Sequence, residues 1–254
     1  MEITFLGTGT SQGVPVIACK CEVCTSTDSK NTRLRSSILI SHEGKNVVID
    51  TGPDFRAQML NNKVEHLNAV VYTHEHKDHV AGLDDVRAYN YSQKQDMPIY
   101  ATTQVQDALK REFHYIFASY QYPGIPKVKL NTIDYAPFDV DGIQFTPIEV
   151  LHYKLPVKAF RVGDFCYITD AKTIAKAEKE KMKGAKVIVV NALRKEEHIS
   201  HFNLEQALEF INEIKPERAY LTHISHLMGK HEDVRKLLPV GVDIAYDGLT
   251  INVD

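Results

Sequence analysis

Residues 68–79 read Asn68-Ala69-Val70-Val71-Tyr72-Thr73-His74-Glu75-His76-Lys77-Asp78-His79, an apolar run that turns abruptly polar. Ala69–Thr73 has the branched, apolar make-up of a buried strand, so the histidines begin where that strand leaves its sheet. Three histidines and an aspartate within six residues offer neutral imidazole nitrogens and a carboxylate, the donors that suit zinc and related divalent ions. A solvated polar turn does not need such density. The string marks a metal site at a strand end, and such a site draws further ligands from neighbouring strands.

The same placement recurs along the chain. His152 follows the apolar run from Ile143 to Val150, Asp170 ends the run from Phe165 to Thr169, and His223 ends the run from Ala219 to Thr222. Singly, a histidine at a strand end is a satisfied polar residue and an aspartate a turn cap. Together they argue for one shared edge. Five histidines and two aspartates (His74, His76, His79, His152, His223, Asp78 and Asp170) exceed one tetrahedral zinc and match a pair of ions bridged by a carboxylate.

Three of the four cysteines crowd into Cys19-Lys20-Cys21-Glu22-Val23-Cys24, and Cys166 stands alone in an apolar run. Three thiols cannot all pair with one another, so a metal explains the cluster better than a disulfide framework. Tetrahedral zinc needs a fourth ligand. His226, one short turn beyond His223, is free to supply it, or else is an exposed loop residue.

The 254 residues are 43% hydrophobic and 25% charged with a net charge of -3, an ordinary globular composition with no global case for nucleic-acid or membrane binding. No apolar run reaches membrane-spanning length, and MEITFLG carries an acid where a secretory leader would be cationic, which points to the cytoplasm. Strands are expected at 3–6, 37–41, 46–50, 69–73, 99–101, 143–150, 165–169, 187–190, 219–222 and 248–253. Helical patterns run over 105–118, 173–183, 203–214 and 232–238, with Asn203 and Gln206 suited to cap the third. The mixture fits an α/β (α+β) sheet system covered by helices, and with no linker or repeat visible, residues 1–254 read as one domain.

His74-x-His76-x-Asp78-His79, the Gly7-Thr8-Gly9 turn, Asp50-Thr51-Gly52, His152, Asp170 and His223, in this order, resemble the metallo-β-lactamase superfamily of dinuclear hydrolases. The resemblance implies a four-layer αββα sandwich with its site on the shared edge of two sheets. It implies that His74, His76 and His152 hold one metal and Asp78, His79 and His223 the other, with Asp170 bridging and Asp50 orienting the metal loops. A histidine at position 76, where diiron oxidoreductases of the superfamily carry glutamate, favours hydrolysis.

Within the superfamily, Cys-x-Cys-x-x-Cys, Asn31-Thr32-Arg33-Leu34-Arg35-Ser36-Ser37, the run through Gly82-Leu83-Asp84-Asp85 and Thr222-His223-Ile224-Ser225-His226 resemble the PhnP-like phosphodiesterases that open phosphoribosyl 1,2-cyclic phosphate. That likeness implies a small, cyclic phosphodiester substrate, two catalytic Zn2+ or Mn2+ ions with a bridging hydroxide, a structural Zn2+ on Cys19, Cys21, Cys24 and His226, and a homodimer. It assigns His201, rather than His198, as the acid for the leaving oxygen, with Asp78 in the reacting centre. Arg33 and Arg35 would suit a phosphate, or form a solvated strand edge. Tyr89, Tyr91, Tyr115, Tyr120 and Tyr122 could wall a sugar pocket, though scattered tyrosines more often serve packing. Alternatives are a tRNA 3′-processing nuclease, whose Gly-rich basic arm is missing from 85–129, a PqqB-like protein, and a non-catalytic zinc binder.

Overall fold

The computed structural model describes residues 1–119 and 123–254. The first sheet takes β1 (Glu2–Gly7), β2 (Ser37–His42), β3 (Lys45–Ile49), β4 (Ala69–Val71), β5 (Met97–Ala101) and β6 (Val128–Thr132). The second takes β7 (Phe138–Val140), β8 (Ile143–His152), β9 (Leu155–Val162), β10 (Phe165–Ile168), β11 (Val187–Asn191), β12 (Arg218–Thr222) and β13 (Val242–Ile244), after which β14 (Thr250–Asn252) returns to the first. The orders are β14-β1-β2-β3-β4-β5-β6 and β13-β12-β11-β10-β9-β8-β7. Pairing is antiparallel from β14 to β3 and from β7 to β10, and parallel from β3 to β6 and from β10 to β13.

Helices cover both outer faces. On the first sheet lie α1 (Phe55–Asn61), α2 (Lys77–Val80), α3 (Arg87–Gln93), α4 (Thr103–Glu112) and α5 (His114–Phe117); on the second, α6 (Lys176–Glu180), α7 (Leu204–Ile214) and α8 (His231–Arg235). Phe5, Ile38, Phe145, Phe160 and Phe165 fill the space between the sheets, while Phe55, Met59 and Leu109, and Phe210, Ile211 and Val234, seat the helices. This is the expected αββα sandwich, its layers forced by sheets that are apolar on both faces.

Asn203 caps α7 through the expected reciprocal bonds with Gln206. The single helix expected over 105–118 breaks at Phe113, and only Lys176–Glu180 of 173–183 is regular. Strands β6, β7 and β13 went unforeseen because edge strands are short and half polar, and β9 because Pro156, Lys158 and Arg161 interrupt its alternation.

The parallel strands set the function, since β3, β4, β10 and β12 all end at one edge, where ligands of open α/β sheets gather. Across that edge Lys158 N–H donates to the Thr73 carbonyl at 3.0 Å and Ile224 N–H to the Thr8 carbonyl at 2.8 Å, tying the sheets where their polar ends meet. Phe160 is fully buried in the intersheet layer against Phe138 and Phe145. Phe160→Ala should lower the unfolding free energy by about 3–5 kcal/mol in urea titration, with the slope unchanged.

Candidate metal centre

The edge gathers the expected ligands by local turns of unusual backbone. Asp50, Asp170 and His223 follow strands β3, β10 and β12 in the left-handed region, at φ 66°, 56° and 57°. Such strain in non-glycine residues persists where surrounding bonds over-determine it, and it turns each side chain off the strand line into the gap between the sheets. Gly52 permits the close approach of the next loop, since a Cβ there would sit 2.2 Å from the Asp78 carbonyl oxygen. His152 is the last residue of β8 rather than beyond it, and α2 carries Asp78 and His79 on its single turn.

Hydrogen bonds fix the imidazole tautomers. The Thr73 hydroxyl donates to Asp50 Oδ2 at 2.7 Å, so at 3.0 Å it can only accept from His74 Nδ1–H. His79 Nδ1–H donates to the same Asp50 oxygen at 2.7 Å, and His152 Nδ1–H to the Ser200 carbonyl at 2.9 Å. In the neutral form of each ring this leaves the Nε2 lone pair facing the gap. The inner edge of this arrangement is tight: His79 Nε2 lies 3.3 Å from Asp78 Oδ2 and 3.2 Å from Asp170 Oδ2, and His223 Nε2 lies 3.3 Å from Asp170 Oδ1. The His76 ring is 4.6 Å from that of His74 and 5.1 Å from that of His152.

Three overlapping donor groups form here, His74–His79–Asp170, Asp78–His79–His223 and His152–Asp170–His201. They bring together every expected ligand except His76, which flanks them, and they add His201. Asp170 and His79 each belong to two of the groups. The chemistry of the donors fits divalent ions: His74 Nε2, His79 Nε2 and His223 Nε2 are buried without a hydrogen-bond partner, and each could be engaged by an ion.

The electrostatics agree. Burial would raise Asp78 and Asp170, but neighbouring His79 and His223 outweigh it and hold both carboxyls well below their usual range. Burial would lower His79, yet Asp78, Asp170 and Asp50 together hold it well above. Burial pushes His74 well below, and with no carboxylate close enough to reverse it, this ring stays neutral and able to ligate.

His201 Nδ1 lies 3.7 Å from Asp170 Oδ1, and its ring is 4.4 Å from His152 and 4.8 Å from His223. Burial pulls it down to about 3. His198 stands behind it, ring to ring at 5.2 Å, with Nδ1 3.3 Å from the Ser200 N–H.

The cysteines form a second group. Cys19, Cys21 and Cys24 Sγ lie 3.3, 3.4 and 3.5 Å from His226 Nδ1. Ligand bonds of about 2.3 Å to sulfur and 2.1 Å to nitrogen put tetrahedral neighbours about 3.6 Å apart, so this spacing fits one ion. The Cys24 N–H and then the His226 ring draw the Cys21 thiol down to about 6, whereas burial pushes Cys24 up to about 11. Cys166 is alone inside the second sheet, its thiol pushed up to about 12 by burial, and it plays no part.

Two expectations need correcting. Arg33 is buried, with its guanidinium bonded to Thr8 Oγ1 and the Ala245 carbonyl, so it cannot meet a substrate phosphate. Arg35 is committed to Asp54, 3.1 Å from each oxygen, and to the Ser11 carbonyl. Tyr89 packs with its hydroxyl on the Val64 carbonyl, Tyr115 donates to Asp84, Tyr91 is exposed, and Tyr120 and Tyr122 fall outside the described residues. Residue-level reading gave no role to Thr73, which orients His74, or to Asn191, whose amide exchanges 2.7 and 3.0 Å bonds with Ala171 and so fixes the turn bearing Asp170. A polar residue ending the buried run Val187–Val190 was the available signal.

The chain matches the model of the β-lactamase superfamily domain over residues 45–224. It is similar to a crystal structure of a diphosphatase from the PhnP family, 36% identical, covering 98% of this chain and 96% of that one with a TM-score of 0.93. Zn(2+)-bound PqqB from Methylobacterium extorquens is 20% identical with both chains covered in full and a TM-score of 0.81, a likeness of fold. A Porphyromonas gingivalis protein named octanoyltransferase is 38% identical over 257 residues, covering 100% of this chain but only 52% of its own length. The chain thus spans about half of that relative.

Asp50 accepts three hydrogen bonds, from Thr73 N–H, the Thr73 hydroxyl and His79 Nδ1. Replacing its carboxylate in Asp50→Asn should weaken metal retention by about 10- to 100-fold, read by competition with a chelator.

Proposed function

We propose that this chain, which belongs to the β-lactamase superfamily and within it to the PhnP family, is a metal-dependent phosphodiesterase acting on a small, cyclic phosphodiester. Residues 1–254 would work as one catalytic domain. The observation that carries the reading is the intact set of donors around Asp170 with a further buried imidazole, His201, beside them. A non-catalytic zinc binder has no need of two overlapping groups sharing a carboxylate.

His74, His76 and His152 would hold one divalent ion, Asp78, His79 and His223 the other, and Asp170 both. Zinc suits this imidazole-rich set, and manganese its carboxylates. Two such ions, when bound, acidify a water to near neutral pH and offset the charge that builds on phosphorus oxygens. The protein does the rest. Asp50, Thr73 and the Ser200 carbonyl keep the Nε2 lone pairs of His79, His74 and His152 aimed inward, so no rearrangement is needed as charge develops. His201 sits at the rim of the same gap, where a phosphate anion would favour its protonated form and let it hand a proton to the departing alkoxide.

The thiols of Cys19, Cys21 and Cys24 with His226 form a closed site with no position left for water, which supports a structural zinc and a reducing, cytoplasmic setting. No helix among the described residues is long and apolar enough to cross a membrane. The PhnP-family relative is named a diphosphatase, so a diphosphate linkage is the second substrate to weigh. Acyl transfer, suggested by the octanoyltransferase name, finds less support: Cys166 is buried with its thiol pushed up to about 12, and the other thiols face His226. That activity fits better in the half of the relative that this chain does not match.

Turnover should be compared across a ribose 1,2-cyclic phosphate, a 2′,3′-cyclic nucleotide, a diphosphate, a lactone and a tRNA precursor. Activity confined to the lactone or the tRNA would refute the proposal. His201→Ala should slow an alkoxide-releasing substrate by about 100-fold or more while sparing a p-nitrophenyl ester, and equal losses would argue against the acid role. Metal analysis should give three ions per chain, falling to two in Cys21→Ala.

A further inference from the structure

A side chain that is always charged is enclosed only where its donors are met, and Arg33 is 4% exposed. Its guanidinium touches three separate segments. Nη1 donates to Thr8 Oγ1 at 2.7 Å and to the Ala245 carbonyl at 2.6 Å, and Nη2 lies 3.3 Å from His231 Nδ1. Thr8 Oγ1 in turn donates a hydrogen bond to Asp247 Oδ1 at 2.7 Å, and Asp247 Oδ2 accepts from the Leu34 N–H at 2.6 Å. The backbone of Arg33 pairs with Val14 through bonds of 2.7 and 2.8 Å, which closes the loop that carries the cysteines.

Thr8 is where this network meets the metal centre. Its carbonyl accepts from the Ile224 N–H at 2.8 Å, and the Ile224 carbonyl accepts from the Thr10 N–H at 3.1 Å. Ile224 follows His223 directly. Because His223 stands in the left-handed region, just past the end of β12, no ladder fixes its direction, and the grip of Thr8 and Thr10 on Ile224, with the Ser225 N–H on the Leu193 carbonyl at 3.0 Å, does so instead.

We infer that Arg33 is a positioning residue: by bracing Thr8 against Ala245 and His231, it holds the Thr8–Ile224 pairing that aims His223 at Asp78 and Asp170. The inference rests on the reading of His223 as a metal ligand. It replaces the phosphate contact expected from sequence, and it gives the Asn31-Thr-Arg33 string a function inside the protein. The same grip lies two residues from His226, so the cysteine site and the catalytic edge share one segment, while the thiols meet His226 without help from Arg33.

The full chain, stripped of metal and titrated with Co2+, tests this in wild type, Arg33→Gln and Thr8→Val, with uptake followed by visible absorption and equilibrium dialysis. Thr8→Val keeps the shape of the side chain and removes both hydroxyl bonds, so it decides the matter if Arg33→Gln does not fold. Expected in each variant is a loss of about 10- to 100-fold in affinity for one of the two ions at the histidine–aspartate edge, with a changed cobalt spectrum. The other ion and the thiolate-bound ion should be retained, and kcat should fall with KM held within about twofold. Variants that melt earlier yet bind all ions as wild type does would overturn the inference alone. A raised KM with unchanged metal affinity would restore the substrate contact and also overturn it. Wild-type protein that takes up no cobalt at that edge would instead overturn the metal reading, and this inference with it.

Discussion

The His79 ring lies between three carboxylates, 2.7 Å from Asp50 on one side and 3.2 and 3.3 Å from Asp170 and Asp78 on the other. Buried carboxylates at this density repel one another unless positive charge is interleaved, and one imidazole cannot balance them all. The fold is arranged around that constraint. Parallel strands from two sheets deliver the groups to one edge, left-handed turns point them inward, and hydrogen bonds behind them aim ring nitrogens at the gap. Divalent ions held by these residues would complete the charge balance and supply the Lewis acidity that hydrolysis needs.

Much of this was legible from the letters because it is local. The string from His74 to His79 announces its chemistry by density, and the strand-end positions of Asp170 and His223 follow from short apolar runs that end in a donor. The αββα layering follows from strands apolar on both faces, for which helices on the outside are the remaining cover. Other parts were hidden because they depend on distant partners. Arg33 looks like a surface phosphate ligand beside Arg35, and only the packing of Thr8, Ala245 and His231 around it reveals a buried brace. Strands β6, β7 and β13 carry too little pattern to be seen without the neighbour that pairs them. His201 was placed by resemblance, and its approach to Asp170 is a tertiary fact.

The N-terminal loop and the segment from His223 to His226 belong to one mechanical unit. Cys19, Cys21 and Cys24 meet His226 on one side, and Thr8 meets Ile224 on the other, so the segment is gripped on both flanks of the turn that presents His223. Ligands held by such outer contacts lose little entropy on binding a metal, and a metal among the thiols would act on the catalytic edge through that segment. The chain is similar to a PhnP-family structure over 98% of its length, so the scaffold is shared over nearly all of it.

The claim on which everything else hangs is that the histidine–aspartate edge holds a pair of ions. Anomalous diffraction at the metal absorption edge of the metal-loaded protein measures it directly. Two peaks about 3.5–4 Å apart, one on each side of Asp170, with a third among Cys19, Cys21, Cys24 and His226, are the predicted result. A single peak at that edge, or none, would contradict the account.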